Sequence, residues 1–342
     1  MGKHIAIIVI ACLITISVFG IKFESGADTF EVKGYLSTEV SYLSGSYSTN
    51  DMKNFYAGLG YSSLMMDLWH GSMFHFRYTF GIRSAFPNPY GGSNNTWISG
   101  MEAYGEYNPN DYISIKAGQV ITPLGYLMPI HLMPALYPQV GPSIFFEEEM
   151  LPYNTTVDIR ITIPLRGRMS IPINLFGGKP IANYGVRKIN PAIGEVDVNN
   201  IYLFGIRAGY EWNDMLKAGY SFMASEQNLL YINMPYVAFD NDLLLIVAEA
   251  SHKTYVKAVG KKSEASADIL FGMHFGPVTP YINYEYMVVL RQEKEYRRCT
   301  VGVDWGVNDY LHLKMQYDYR RVFIQNSMTP VWLLRTSAVY IF

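Results

Sequence analysis

The side chains best placed for chemistry are a run of three acids and a set of basic residues in alternating segments. Glu147, Glu148 and Glu149 lie near the end of a proline-rich stretch, residues 119–152, that has neither a strand pattern nor a tight-turn pattern. Basic residues stand opposite apolar ones in several alternating segments, and the candidates are Arg77, Arg83, Lys116 and Arg160. If the acids faced these bases across a water-filled space, the fixed charges would create a transverse field that orients polar solutes.

Patterns for catalysis or metal binding are sparse in the rest of the sequence. The seven histidines show no metal-ligand spacing, and there is neither a Walker-type glycine-rich loop nor a Gly-x-Ser-x-Gly elbow. Spacing alone leaves a Ser/His/acid hydrolase open. We expect a protein that is not an enzyme and has no cofactor and no metal. The net charge of −2 disfavours nucleic acid as a partner.

The composition favours a protein that crosses a membrane with strands. Hydrophobic residues make up 49% of the 342 residues and charged residues only 16%, against about 25% in ordinary soluble proteins. Aromatic residues reach 15%. After residue 20, no segment has the roughly 18 uninterrupted apolar residues of a membrane helix. A membrane β-barrel instead spreads apolar residues over alternate strand positions and places aromatic side chains at both interfaces.

The N-terminus has a basic start, an apolar core and small residues beyond, which is the organisation of a secretory signal peptide. We predict a signal peptide over residues 1–27, with cleavage after Gly20 or Ala27, and one domain over residues 28–342. A short membrane anchor is the alternative. Cys299 would then be the one cysteine left, because Cys12 leaves with the signal, so no intrachain disulfide could form.

Strict alternation of apolar and polar residues runs along most of the chain and is typical of strands with two different faces. Short turns rich in Gly, Pro, Asn and Asp alternate with longer connections, as periplasmic turns and external loops do in outer-membrane barrels. We predict an all-β fold: a transmembrane antiparallel up-and-down β-barrel of about sixteen strands with both termini on the periplasmic side. The predicted strands are 29–43, 54–68, 72–83, 96–108, 111–118, 154–164, 168–177, 200–212, 215–226, 240–251, 253–261, 264–275, 278–290, 295–306, 310–323 and 331–342.

The weakest part of this strand assignment is residues 240–262. The segments 240–251 and 253–261 have no obvious turn residue between them. If they form one strand, the count falls to about fourteen, since such barrels have an even number of strands.

The last segment ends in a terminal aromatic residue with another aromatic two positions before it. Tyr340, Ala338 and Thr336 share one face of this predicted strand, and Arg335 lies on the other. The ending, with Tyr340 and Phe342, resembles the insertion signal of bacterial outer-membrane proteins.

A more specific resemblance lies where residues 119–152 join the predicted fifth and sixth strands. Residues 116–125, KAGQVITPLG, are similar to a Gly-basic-x-x-x-Pro-x-Gly pattern at the same place in many bacterial porins, including the phosphate-selective group. Gly118, Pro123 and Gly125 match the pattern, whereas Gln119 stands where a basic residue is common. The chain thus resembles a sixteen-stranded bacterial outer-membrane porin. The resemblance implies that residues 119–152 are the third external loop, folded inward to narrow the pore, and that the protein is a homotrimer.

These observations lead to one main functional expectation and two alternatives. The main one is a porin of the bacterial cell outer membrane: a passive diffusion channel for small hydrophilic solutes or ions, with outer-membrane lipid around it. A substrate-specific transporter for an apolar or larger solute, with a plugged lumen, is the first alternative, because the loop is rich in Leu and Met. An outer-membrane enzyme of the lipase or protease type is the second, and it would need a Ser/His/acid or acid/His cluster at one rim. Inward acids nearly balance the bases, so the sequence predicts neither cation nor anion preference.

Overall fold

The regular structure in the described part of the chain is made of antiparallel strands. The computed structural model describes residues 20–45, 55–60, 62–83, 97–128, 130, 137–140, 153–180, 202–226, 230–257, 260–290, 294–324 and 327–342. The strands are β1 Ile21–Ser25, β2 Asp28–Gly45, β3 Phe55–Leu59, β4 Ser62–His70, β5 Phe74–Arg83, β6 Trp97–Asn110, β7 Ile113–Ile121, β8 Tyr153–Pro164, β9 Met169–Pro180, β10 Leu203–Trp212, β11 Leu216–Ser225, β12 Leu230–Asp240, β13 Leu244–Lys257, β14 Gly260–Met273, β15 Val278–Leu290, β16 Lys294–Asn308, β17 Leu311–Ile324 and β18 Ser327–Ile341. Within these ranges, no helix could cross a membrane.

The strands close into a single barrel. Consecutive strands from β4 to β18 pair with one another, and β18 then pairs with β2 from Ile341↔Tyr35 to Val331↔Gly45. Strands β3 and β4 both pair with β2, on either side of Gly60, and together fill one position in the barrel. The result is a closed barrel of sixteen strands, which confirms the predicted fold. Closure removes the exposed sheet edges that an open sheet would have to protect.

The short strand β1 lies within the predicted signal peptide. Ile21–Ser25 pairs with residues 28–32 of β2, and β18 pairs with residues 35–45 of the same strand. Residues 1–19 lie outside the described residues. Cleavage after Gly20 would keep β1 and cleavage after Ala27 would remove it, so the cleavage site stays a prediction.

The outer face of the barrel is apolar and exposed, and the inner face is polar. Phe76 is 52% exposed on the outside, whereas the neighbouring His75 is 2% exposed on the inside. Such inverted burial is expected when the outer face contacts lipid and the lumen contains polar groups. Further exposed outward residues are Phe204, Ile206, Tyr220, Ile269, Phe271, Ile282, Val301, Trp305, Met315, Tyr317 and Leu334.

The strand count was predicted correctly, but two local assignments were wrong. Residues 240–251 and 253–261 belong largely to one strand, β13, so no turn separates them. The predicted connection 227–239 instead contains the strand β12, Leu230–Asp240. The two errors cancel in the count. β12 has apolar residues on its inner face as well as its outer one, so the expected polar alternation is missing there.

Short connections occupy one end of the barrel, together with both ends of the described chain. Several contain residues in the left-handed backbone region, including Gly71, Gly167, Asn213, Asp214 and Gly276. Tight turns need this conformation, and glycine or asparagine adopts it most easily. Since such short turns are periplasmic in outer-membrane barrels, the opposite end, which has the long connections 84–96, 122–152 and 181–202, is external.

Candidate functional site

The lumenal face is divided into two regions by residues 122–140, here called the inner segment, of which residues 122–128, 130 and 137–140 are described. The covered wall is the inward face of β12–β17, where the inner segment lies directly on the strands. The open wall is the inward face of β5–β10, where several charged side chains remain partly exposed; β11 lies at the border, where Ser221 contacts the inner segment. The inner segment therefore folds into the lumen, as predicted for this loop.

Backbone groups of the inner segment are held by polar side chains of the barrel. Gly125 N donates to Ser221 Oγ at 2.9 Å. The amides of Tyr126 and Leu127 both donate to Glu249 Oε2, the latter at 3.0 Å. Glu249 is 3% exposed, so these donors compensate a buried carboxylate. Barrel side chains that point inward thus replace the water that a loop would otherwise bind.

The far end of the inner segment is fixed in the same way on β16 and β17. Val140 N donates to Gln316 Oε1 at 2.8 Å, and Lys314 Nζ donates to Tyr137 O at 2.5 Å. The segment is therefore anchored at both described ends.

Apolar side chains fill the space between the inner segment and the covered wall. Leu127 and Tyr137 form a buried cluster with residues of β12–β15: Ala238, Leu245, Val247, Leu270 and Tyr281. The Tyr126 ring stacks on Tyr236 with 6.2 Å between centroids. Leu124 and Met128 are 1% and 0% exposed. These residues are occupied in packing, which stabilises the segment against the wall.

A side chain at Gly125 would displace the carboxylate that anchors the inner segment. Its φ is +60°, and an added Cβ would lie 2.5 Å from Glu249 Oε2. We expect G125A to weaken the anchor at Glu249 and to increase current fluctuations of the reconstituted protein in planar bilayers. Gly276 has φ +59° with open space around an added Cβ, so G276A carries the same backbone strain, about 1–2 kcal/mol, without the collision. Equally quiet currents for both variants would contradict this role of Gly125.

The covered wall contains a row of buried charges beneath the inner segment. Glu249, Asp268 and Glu285 are successive cross-strand neighbours on β13, β14 and β15. Arg298 and Arg320 continue the row on β16 and β17. Arg298 Nε donates to Glu285 Oε1 at 2.9 Å, and its Nη2 contacts Gln139 Oε1 at 3.5 Å. Buried charges need such partners because desolvation is costly, so this region depends on the covering segment.

The open wall has its cations in a cross-strand row. Arg160 and Arg207 flank Asn174 on β8, β10 and β9. Arg160 is 49% exposed, and among the described residues its Nη2 lies 3.9 Å from Glu211 Oε2. Arg207 Nε donates to Tyr236 OH at 3.0 Å and lies 4.9 Å from that ring. These guanidinium groups face the part of the lumen that the described inner segment leaves free.

Lys116 is placed beside this row on β7. Its Nζ lies 4.0 Å from Glu106 Oε2 and 4.8 Å from the Tyr104 ring centroid. Its side chain is 32% exposed. Lys116 therefore contributes charge to the open wall while being held by an aromatic face.

Arg77 lies in a tighter polar cluster near the periplasmic end. Arg77 Nε donates to Asp67 Oδ1 at 2.7 Å, and His75 Nε2 lies 2.7 Å from the same oxygen. His75 Nδ1 lies 3.0 Å from Glu106 Oε2, and Ser114 Oγ donates to Glu106 Oε1 at 2.6 Å. Both imidazole nitrogens are thus engaged with carboxylates and the serine does not contact the histidine, so this acid/His cluster lacks a nucleophile–base pair.

The remaining predicted residues are only partly described. Arg83 ends β5, and its side chain lies outside the described residues, as do Glu147, Glu148 and Glu149. The predicted opposition of acids and bases therefore stays a prediction. Within the described chain, no group of three His, Cys, Asp or Glu residues is arranged to hold a metal ion.

The motif residues have clear structural positions. Gly118 has φ +134°, and an added Cβ would lie 2.3 Å from Ala103 O. Pro123 is buried at the start of the inner segment, two residues before Gly125. Phe342 exchanges two main-chain hydrogen bonds with Gly34, at 2.9 and 3.0 Å. Tyr340 is on the outward face of β18 and half-buried.

The anchoring residues were missed by the sequence interpretation. Glu249 is the one carboxylate in the apolar run 243–250. A glutamate that points inward from such a run indicates that a hydrogen-bond donor lies nearby. Gln316 carries no charge and so gave no signal. The anchoring role of both residues becomes clear only from the position of the inner segment in the structure.

Comparisons with known proteins support the porin fold. Neither a protein-family model nor a curated protein matches the sequence. Among solved structures, the channel DcaP of Acinetobacter baumannii has 11% identity and a TM-score of 0.61, covering 95% of this chain and 100% of its own. The anion-selective porin from Comamonas acidovorans has 10% identity and a TM-score of 0.60, covering 92% and 100%.

OmpT of Vibrio cholerae is a third similar structure. It has 10% identity and a TM-score of 0.60, covering 94% of this chain and 100% of its own. Identities this low show a shared architecture and leave the solute open. The chain has the fold of the sixteen-stranded bacterial outer-membrane porins.

Proposed function

We propose that this protein is a passive diffusion channel for small hydrophilic solutes or ions in the bacterial outer membrane. The observation that carries the proposal is the asymmetric lumen. The inner segment covers the β12–β17 side, while Arg160, Arg207 and Lys116 remain partly exposed on the opposite side. A polar passage beside a fixed insert is what a diffusion channel needs.

The proposed constriction lies between the inner segment and the open wall. Arg77, Arg83, Lys116 and Arg160 would supply the positive side, and Glu147, Glu148 and Glu149 the negative side. Three of the four bases lie at described inward positions. Arg77 and Lys116 are next to Tyr104, and Arg160 is on β8, the strand that follows that of Lys116. The acids are joined to the anchored Val140 by only six intervening residues, which keeps them within reach of the lumen.

The alternatives have less support. The described apolar residues of the inner segment are packed against the wall, and only Tyr126 and Ile130 are partly exposed, which leaves little apolar surface for a solute. The acid/His cluster around His75 has its ring nitrogens occupied, so we also propose that the protein is not an enzyme. A homotrimer and an insertion signal at Tyr340 and Phe342 belong to the same proposal and are supported by the porin fold.

Planar-bilayer recordings of the purified, refolded protein test the channel function. We expect stable ohmic steps and passage of small uncharged sugars into vesicles. Absence of any open-channel current, with the circular dichroism and heat-modifiable gel mobility of a folded barrel, would refute the proposal.

Charge removal on the open wall tests where solutes pass. We expect R160Q/R207Q to lower the anion-to-cation permeability ratio by about twofold, because fixed charges at a pore wall bias ion entry. Reversal potentials under a KCl gradient measure the ratio. The matched control is R166Q/R168Q, which removes two arginines from an exposed periplasmic turn. Equal shifts in both variants would place the selectivity outside the open wall.

A further inference from the structure

On the outside of the barrel, the external ends of β16 and β17 carry two arginines side by side. Arg297 and Arg321 are directly opposed in the register of the two strands, and both are exposed. Their sequence neighbours Arg298 and Arg320 are fully buried in the lumen, so Arg297 and Arg321 point towards the lipid. Like charges directly opposite each other destabilise a sheet, and an anion between them would relieve the repulsion.

Aromatic rings lie against both guanidinium groups. Arg321 Nε donates to Tyr319 OH at 2.7 Å, and its guanidinium lies 5.3 Å from the centroid of that ring. Arg297 lies 5.8 Å from the Tyr286 ring, and Trp332 packs 4.2 Å from Tyr319. Belts of Tyr and Trp mark the level of the lipid headgroups. The two arginines therefore lie at the depth of the outer-leaflet headgroups.

The dimensions of the apolar band agree with this depth. Along β16, the outward residues below Arg297 include Val301 and Trp305, which are 56% and 46% exposed. The strand from Trp305 to Arg297 runs about 27 Å, or about 20 Å along the barrel axis at a tilt of about 40°. This is close to the apolar band of about 25 Å in such barrels.

The charge balance favours an anionic group. Among the described residues, Glu295 is the carboxylate that contacts Arg297 on this face, so two guanidinium groups share one carboxylate there. A guanidinium fork binds phosphate oxygens in a bidentate manner, and arginine is preferred to lysine where this geometry matters. A phosphate placed between Arg297 and Arg321 would complete the pairing of Arg321, whose contacts here are to Tyr319.

We propose that Arg297 and Arg321 bind a phosphate of an outer-leaflet lipid headgroup, whose acyl chains lie on the apolar band below. The partner is a phosphorylated membrane lipid and the site is the lipid-facing surface of β16 and β17. The proposal rests on that surface and not on what the lumen conducts, so failure of the channel function would leave it untouched.

Native mass spectrometry of the full protein in detergent tests the site. The protein is titrated with diphosphoryl lipid A, with dephosphorylated lipid A and with inorganic phosphate. We expect the wild type to retain diphosphoryl lipid A and R297Q/R321Q to bind it about tenfold more weakly, since charge-assisted hydrogen bonds are lost. R166Q/R168Q, which removes the same charge from the periplasmic end, should bind as the wild type does.

Three results would overturn the proposal: unchanged binding by R297Q/R321Q, equal binding of the dephosphorylated lipid by the wild type, or equally tight binding of inorganic phosphate. The last would indicate a free-anion site and not a lipid site. Heat-modifiable mobility verifies the fold of each variant. If the double variant does not fold, the binding of diphosphoryl lipid A by R321Q is measured instead. The Arg321 side chain is exposed, and its loss leaves the Arg297–Glu295 contact intact.

Discussion

Replacing residues 122–152 by a four-residue Asn/Gly turn is expected to raise the single-channel conductance by about twofold or more, because an insert would leave the lumen. Ile121 and Tyr153 are cross-strand neighbours in β7 and β8, so a short turn can join them without moving either strand. The variant should also unfold at a lower temperature, since the apolar face of β12–β15 loses its cover. Planar-bilayer recordings and the midpoint of heat-modifiable gel mobility measure the two effects.

A matched deletion distinguishes a lumenal insert from any external connection. Residues 181–201 also form a long connection, and Gly178 pairs with Leu203 across its ends. Shortening it to four residues should change the conductance much less than the replacement of residues 122–152. Unchanged conductance in a folded 122–152 variant would mean that the inner segment lies beside the permeation path and does not narrow it.

Substituting Gly34 is expected to destabilise the seam at which the barrel closes. An added Cβ would lie 2.2 Å from Ser63 O and 2.9 Å from the Phe342 ring. A backbone oxygen cannot rotate away, so β2 and β4 would have to separate at the seam where Phe342 also binds. We expect G34A to lower the free energy of unfolding by about 2 kcal/mol or more, as overpacking does in tight cores. Urea unfolding in lipid vesicles measures the loss.

Gly272 provides the control for this substitution. It also lies within a strand, but the nearest atoms to an added Cβ are 3.4 Å away, which is ordinary contact. G272A should therefore unfold close to the wild-type urea concentration. If G34A and G272A were equally stable, the seam would be able to widen at little cost, and closure would not depend on Gly34.

The sequence was sufficient for the barrel because lipid and water impose opposite requirements on successive side chains. In β5, Phe76 and His75 differ in burial as their alternation predicts, and the same holds for β17. The rule fails at β12, where Ile232, Met234 and Ala238 point inward but are apolar. All three are buried, and Ala238 packs with Leu127 and Tyr137 of the inner segment, so the lumenal face of β12 is as apolar as its outer face. A connection was predicted where a strand lies.

The sequence predicted the basic residues of the candidate site but not the residues that anchor the inner segment. Arg77, Lys116 and Arg160 were expected on the inner face because they interrupt apolar residues at period two. Glu249 and Gln316 act as anchors because they accept hydrogen bonds from backbone amides more than a hundred positions away in the chain. No local pattern contains such a pairing, since either partner alone looks like an ordinary polar residue on a strand.

The division between the covered wall and the open wall has a consequence for how such a protein can change over generations. A substitution on the covered wall must fit both the barrel and the inner segment, so changes there would have to occur in compatible pairs. Arg160 is half exposed, and its salt-bridge partner among the described residues is Glu211 at 3.9 Å. The open wall can thus accept single substitutions that the covered wall cannot.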